Sequence, residues 1–598
     1  MIEGRTDWIR VPVGAGSARW ATRGRCLRVL FVVHNVTSAT RLLDVLPLFR
    51  DDLRVQLLAT CTGSSPFQAG VAELLAGTGV PVLPWEQAVD LPVELAISAS
   101  FGGQLHRIDG RLTVLSHGVG YNKRLATPDT GHRTPDTGRP SPDPDPDPDP
   151  VAAPPVFGMS PEWLLSDGSP IADAMVLSHP EQLERLRAAC PEAASTAVLA
   201  GDPCFDRIRA ALPQRERFRR ALDVRAGQRL VLLNSTWNPD SLFGDSGGED
   251  LLPSLLPRLT AELPADEYRP VAVLHPNIWN GHGPGQIRAW TDRARRGGLA
   301  LVDPLEGWRQ ALIAADVVIG DTGSVSYYAA ALGTPVLLGA GSAHGLDARS
   351  PVAAFVRQAP RLAPSAPLRA QLDALLDGPG PRPEHLPAPG PAELVSSVPG
   401  EAATLLRRHF YQLIGAPEPP EPALLDPLPL PPYERVERTA PMRVVTRLLG
   451  TGDIGVSRYA EPRSEPAGDG DAHTAVHEDT LDPGRLALAD VIYRYGMADD
   501  VRFGTPGQWS AEVLARHPHC ALASYVTDGG SCTVRTRDGS LLRLVGDPPA
   551  ADPAAYASAL HAWLAAGKAL EELTAGGMTV RTGGASHRVS VTLATPAS

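Results

Sequence analysis

Three things are scarce in this chain of 598 residues: cysteine, positive charge and long apolar runs. The six cysteines, at 26, 61, 190, 204, 520 and 532, form no CxxC pair and no dense framework. That excludes a disulfide-built scaffold and fits buried thiols in a reducing compartment. Lys and Arg number 55 against 67 Asp and Glu, a formal net charge of −12. Broad nucleic-acid binding needs a positive field to displace counterions, so no nucleic-acid partner is expected. A local basic pocket for a phosphorylated small molecule is not excluded. No apolar run reaches the roughly 18 residues of a spanning helix. No basic-then-apolar stretch with a small-residue cleavage site is present at the N-terminus, so no secretory signal is expected. These absences point to a cytoplasmic protein, with peripheral contact at the inner membrane face still compatible.

What is plentiful is proline and glycine, 60 and 57 residues, in clusters. The hydrophobic share of 43% suits a globular chain, and the length asks for two or three domains with linkers between them. Residues 1–26 read as a flexible leader. From Leu27 the chain alternates short apolar strands with helical stretches, as a parallel sheet covered on both faces does. The span 27–220 therefore reads as a Rossmann-like lobe, interrupted at 126–155 by a Pro/Asp-rich insert whose composition cannot form a core. A second doubly wound unit occupies 221–415, with a helix near Glu401–Ile414 expected to close it. Residues 416–480 begin proline-dense and continue polar, and read as a linker. The tail 481–598 regains pattern as a small α+β domain, with a helix over Leu486–Tyr495 and a long amphipathic helix over Ala554–Leu573. The fold class expected is α/β, two doubly wound Rossmann-like lobes with a cleft between them, followed by that α+β domain. The tail domain is a candidate for binding another protein.

The segment from Asp316 to Gly339 carries the most chemistry. A strand delivers the chain to Asp321, and Thr322, Gly323 and Ser324 turn it into a helix whose free N–H groups and dipole suit a phosphate. Gly333 and Pro335 then end that helix. Two histidines stand at strand ends, one in each unit: His117, followed by Gly118, and His275, followed by Pro276. Tyr121, Asn122, Lys123 and Arg124 follow the first of them. Asn234, Ser235 and Thr236 close the first strand of the second unit, where their side chains can meet a phosphate, although the same residues make ordinary turns.

Taken in order, these segments resemble those of the CDP-glycerol glycerophosphotransferases, and more distantly those of the UDP-N-acetylglucosamine 2-epimerases, both of the GT-B superfamily. The strand, Asp321-Thr-Gly-Ser324, helix and Gly333-Thr-Pro335 are similar to the nucleotide-binding segment of both. His275-Pro276 is similar to their His-Pro, and Ser116-His117-Gly118-Val119 to the Trp-His-Gly-Thr of the glycerophosphotransferases. Ala200-Gly-Asp-Pro-Cys-Phe-Asp206 resembles the Gly-x-Pro-x-x-Asp that ends their first lobe. The resemblance covers roughly residues 27–414. It implies His117 as general base on an acceptor hydroxyl, with Gly118, Lys123 and Arg124 on the acceptor side. It implies His275, with Asn234, Ser235, Thr236, Asp321, Thr322, Gly323 and Ser324, at the phosphates of the nucleotide.

The function implied is transfer of a glycerophosphate or glycosyl group from a nucleotide-activated donor to a hydroxyl, in the setting of cell-envelope polymer synthesis. Two alternatives stand beside it: a nucleotide-sugar 2-epimerase, which needs carboxylates in the cleft, and a non-catalytic binding protein on the same architecture. The partner expected is a nucleotide-linked small molecule, with no cofactor and no metal. Asp143-Pro-Asp145 spells a metal-binding signature, but in a low-complexity insert it lacks a rigid frame. His517, His519, Cys520 and Cys532 fit no zinc spacing. The stripe Leu560, Trp563, Leu564, Leu570 and Leu573 reads as core packing.

Overall fold

The computed structural model describes residues 8–124, 154–245, 250–377, 389–433, 438–462, 470–527, 530–547 and 551–594. The insert at 126–155, with Asp143 and Asp145, lies outside them except for its last two residues.

The first sheet is built from β1 (Leu27–Val33), β2 (Val55–Cys61), β3 (Val82–Leu83), β4 (Leu95–Ser98) and β5 (Arg111–Val114). A two-stranded ribbon, β6 (Leu165–Ser166) and β7 (Ser169–Pro170), follows, and β8 (Ala174–Leu177) and β9 (Ala197–Leu199) complete the sheet. All seven strands run parallel, in the order β3-β2-β1-β4-β5-β8-β9. Val29 to Val33 are all buried, as a central strand covered on both faces requires. The second sheet is β12-β11-β10-β13-β14, also parallel, from β10 (Arg229–Ser235), β11 (Tyr268–Leu274), β12 (Ala300–Leu301), β13 (Val317–Gly320) and β14 (Val336–Leu338). In each sheet the winding reverses beside its first strand, between β1 and β4 and between β10 and β13. Such switch points leave a crevice at the carboxyl ends of the strands, where ligands of α/β proteins bind.

The chain does not stay within its second unit. The helix Ala402–Ile414 packs its apolar face onto the first lobe, where Phe410 stacks on Phe49 at 5.6 Å and the Tyr411 hydroxyl donates to Asp52 at 2.7 Å. The helix that was expected to close the second unit therefore closes the first. The reason is an unfilled apolar face: Val29, Phe31, Leu42 and Phe49 share one core with Leu406 and Phe410. The proline-rich stretch after Gly415 then lies along both lobes. Asp426 pairs with Arg50 of the first lobe at 2.8 Å, and Leu428 enters the core of the second.

Residues 416–480, expected as a linker, hold three strands: β15 (Met442–Gly450), β16 (Asp453–Ala460) and β17 (Asp471–His477). They join β18 (Val491–Tyr495), β19 (Leu522–Thr527), β20 (Ser531–Thr536), β21 (Leu541–Asp547), β22 (Met578–Thr582) and β23 (Ala585–Leu593) in a closed barrel. Closure removes the exposed edges an open sheet would carry. The helix Pro553–Ala565 lies inside the barrel, with Tyr556, Leu560 and Trp563 buried among residues of the surrounding strands. A helix enclosed on all sides needs no polar stripe, and residues 553–560 are buried without interruption. The amphipathic run expected as one helix to Leu573 is two, separated around Gly567, whose φ is +71°. Residues 491–495, expected as the end of a helix, form β18, because Val491, Ile492 and Tyr493 pair along β17 and β19. The leader is not wholly detached: Ile9 exchanges hydrogen bonds with Gln87, and Val13 joins the first-lobe core.

Candidate functional site

The strand ends of both switch points face one another across a cavity of 340 Å³. On the first-lobe side, β1 delivers His34 and then Asn35, which accepts from the Ser38 N–H at 2.9 Å while the Ser38 hydroxyl accepts from its own N–H at 3.0 Å. This reciprocal cap fixes the start of the helix Val36–Val45. Thr37, Arg41 and Asp44 then fall on one face, spaced four and three residues apart, and that face meets the second lobe. Thr37 Oγ1 stands 3.3 Å from His275 Nε2, Arg41 donates to the Tyr328 hydroxyl at 3.2 Å, and Arg309 donates to Asp44 at 2.7 Å.

On the second-lobe side, Asp321 ends β13 with no exposure at all. Its carboxylate accepts N–H donors from Thr236 at 2.8 Å, Gly323 at 2.9 Å and Leu242 at 3.1 Å, and the Ser235 hydroxyl at 3.2 Å. Burial pushes its pKa up while those backbone donors hold it down. The carboxylate thus ties the loop after β10 to the turn that starts the helix Ser324–Ala331. Asn234 is likewise internal, donating to Ser326 Oγ at 3.0 Å. Thr236, Thr322, Gly323 and Ser324 line the cavity, and no side chain caps the first turn of the helix, which holds no acidic residue. Lobe meets lobe here: Val119 N–H donates to Ser324 Oγ at 3.2 Å, and a Cβ on Gly118 would stand 2.7 Å from that oxygen.

Both strand-end histidines reach the cavity. His275 caps the helix Pro276–His282 by accepting the Asn277 N–H at Nδ1, 3.1 Å away. A neutral imidazole that accepts at Nδ1 carries its proton on Nε2, so His275 presents an N–H donor to the cleft. Burial, then Lys123 and His117, lower its pKa to about 3. The pKa of His117 is lowered to about 4 by burial and by Lys123 and Arg41, against the Ala99 backbone, which raises it. The Lys123 ammonium has its pKa lowered by burial and lies 3.5 Å from Thr236 Oγ1 and 6.0 Å from the Trp237 ring centre. The charge of buried Asp321 acts on it in the opposite sense, and among the described residues no Asp or Glu lines the cavity. Arg124 is not part of the cavity wall. It spends its side chain on the Leu346 and Pro154 carbonyls, and its N–H donates to Gly345.

Sequence reasoning missed Asn35, Thr37, Arg41, Phe67 and Trp237, all in the cavity wall. Asn35-x-x-Ser38 was a readable cap signature, and Thr37 and Arg41 at helical spacing could have followed from it. Phe67 and Trp237 had no local signal. Asp202, in the Gly-Asp-Pro-Cys-Phe-Asp stretch, caps the helix Pro203–Ala211 and accepts the Tyr328 hydroxyl at 2.6 Å. Among the described residues no cluster of three metal-ligating side chains occurs.

The two lobes are parallel sheets flanked by helices, with the carboxyl ends of their strands set towards one cavity. Solved structures similar to the chain include the wall teichoic acid polymerase TagF, at 14% identity over 65% of this chain and 82% of that one, with a TM-score of 0.35. They also include UDP-GlcNAc 2-epimerase from Neisseria meningitidis bound to UDP-GlcNAc, at 11% over 64% and 100%, with a TM-score of 0.38. A third is a glycosyltransferase from Rickettsia africae, at 8% over 65% and 93%, with a TM-score of 0.33. At such identities the likeness is one of fold. No family model matches the chain, and no curated protein does.

Proposed function

We propose that the inter-lobe cavity binds a nucleotide-activated donor and transfers a group from it to an acceptor hydroxyl. The observation that carries this reading is the charge of the wall: Lys123 and Arg41 reach a cavity that no carboxylate lines among the described residues, the carboxylates that act on them, Asp321 on Lys123 and Asp44 at 3.9 Å from Arg41, lying behind the wall. The cavity itself therefore meets cations and hydrogen-bond donors without a facing anion, and a diphosphate supplies one. The diphosphate lies between Lys123, the Nε2–H of His275, the Thr236 hydroxyl and the helix start at Thr322, Gly323 and Ser324. Asn234 and Ser235 also border the cavity, but their side chains are engaged with Ser326 and Asp321, and with Asp321 behind them they hold those groups in place.

His117 takes the proton of the attacking hydroxyl, with Gly118 allowing lobe 1 to approach Ser324. Its lowered pKa keeps it neutral and able to accept a proton at pH 7, and the charge of a bound diphosphate offsets the cations that lower it. The base therefore strengthens when the donor is in place. An epimerase would need carboxylates in this wall, and among the described residues none lines it. The setting proposed, cell-envelope polymer synthesis, rests on the motif resemblance alone.

The test is His117→Ala assayed for donor binding and for transfer. Retained binding with turnover reduced by about 100-fold or more is expected of a lost general base. Unchanged turnover removes His117 from that role.

A further inference from the structure

Trp237 stands apart from the rest of the cavity wall. It follows Thr236 in the loop after β10 and lines the cavity, yet 39% of it is open to solvent. Phe67 of the first lobe meets its ring in a T-shaped contact at 4.9 Å, and the His275 ring lies 6.5 Å away. The Lys123 ammonium is 6.0 Å from its ring centre. A large aromatic surface thus borders the cavity, packed on one side by Phe67 and partly uncovered, where the apolar face of a ligand can meet it.

The position of Trp237 narrows what that face belongs to. Its neighbours Thr236, Lys123 and His275 are the groups assigned above to the diphosphate. The part of a donor joined directly to the distal phosphate is the group to be transferred, whereas the base is separated from the phosphates by a ribose. A glycerol unit is short, flexible and hydroxylated throughout, and has no flat face. A pyranose has one, its axial C–H bonds, and this packs on an indole through dispersion and the negative charge of the π-face.

We propose that the transferred group is a sugar ring seated on Trp237, which makes the reaction glycosyl transfer and Trp237 a specificity-determining residue. This inference rests on the donor-binding reading above and deepens it. In the reaction the acceptor oxygen bonds to the anomeric carbon, and the bond from that carbon to the phosphate oxygen breaks. The nucleoside diphosphate leaves with the electron pair, and the acceptor proton passes to His117.

The experiment is a calorimetric titration of the full chain with UDP, GDP and CDP, and with UDP-glucose, UDP-N-acetylglucosamine, GDP-mannose and CDP-glycerol. It is repeated with Trp237→Ala and Trp237→Phe. The expected result is that one sugar conjugate binds more tightly than its parent diphosphate. Trp237→Ala should lose about three- to tenfold in affinity for that conjugate, with the parent diphosphate unaffected, and Trp237→Phe should keep most of the affinity. CDP-glycerol as the preferred ligand, or an equal loss for conjugate and parent in Trp237→Ala, would overturn the proposal while leaving donor binding intact. If the wild-type chain binds none of the seven nucleotides, the donor-binding reading fails and this inference fails with it.

Discussion

His34, His117, His275 and His473 share one condition: each lies where burial costs an imidazolium its hydration, so each stays neutral in the folded chain well below the usual imidazole range. The pKa is about 4 for His34 and His117, and about 3 for His275 and His473. In the unfolded chain the same groups titrate near 6.5. Between those values the unfolded state binds the protons and the folded state does not, so stability falls as pH drops from about 6.5 towards 4 and is fully present above that window. Each buried imidazole contributes about 1–2 kcal/mol to the loss between pH 6.5 and 5. Urea unfolding at pH 7.5 and pH 5.0 should therefore show a clearly lower midpoint at pH 5.0. Equal midpoints would mean that these rings are solvated or paired in the folded protein. The two cleft histidines were legible as strand-end residues. A donor role for His275 followed from its expected place at a diphosphate, but which nitrogen carries the proton did not, because the tautomer is set by the backbone N–H of Asn277, which only the fold aims at Nδ1.

The turn from β13 into the helix Ser324–Ala331 shows what one element owes to its neighbours. Its sequence announces a strand, a tight turn and a helix start, and all three form. What the sequence does not reveal is that Asp321 faces inward, taking donors from two other segments, the loop at Thr236 and the turn at Leu242. Partners about 80 residues distant in sequence leave no local pattern. Asp321→Ala strands three backbone N–H groups that are satisfied in the native fold, at about 1–3 kcal/mol for each that stays buried. The expected outcome in chemical denaturation is a loss of several kcal/mol, with Asp321→Asn recovering part of it. Native stability in Asp321→Ala, together with lost nucleotide binding, would show instead that the carboxylate acts on the ligand.

The same contrast appears in β15 to β18. Central strands of the first two lobes, such as β1 and β11, are near-continuous apolar runs buried along most of their length, and β1 was readable as such. The barrel strands mix buried and exposed positions, as in the β15 stretch Met442–Gly450, where Arg447, Leu449 and Gly450 are exposed. Polar residues interrupt their apolar positions, and closure of the barrel around the helix Pro553–Ala565 decides which positions point inward.

Across the whole molecule the three folded parts are joined by buried charge as well as by apolar contact. Asp44 of the first lobe receives Arg309 of the second and Arg207, and Asp552 of the barrel receives Arg458, which also pairs with Asp266 of the second lobe at 2.6 Å. Pairs of this kind hold register only while both partners are present. They fix the lobes so that Lys123, Arg41, His117, His275 and the start of the helix Ser324–Ala331 surround one cavity. On the function proposed above, this cavity takes the diphosphate of a nucleotide donor. The most direct measurement is the thermal unfolding of the wild-type chain and of Lys123→Ala against the same panel of nucleotides and nucleotide conjugates. At 100-fold excess over Kd a bound ligand adds about 2.7 kcal/mol, so at least one of them should raise the wild-type midpoint measurably while giving Lys123→Ala little or no shift. A midpoint that no nucleotide moves, or a shift that Lys123→Ala shares in full, would contradict the account.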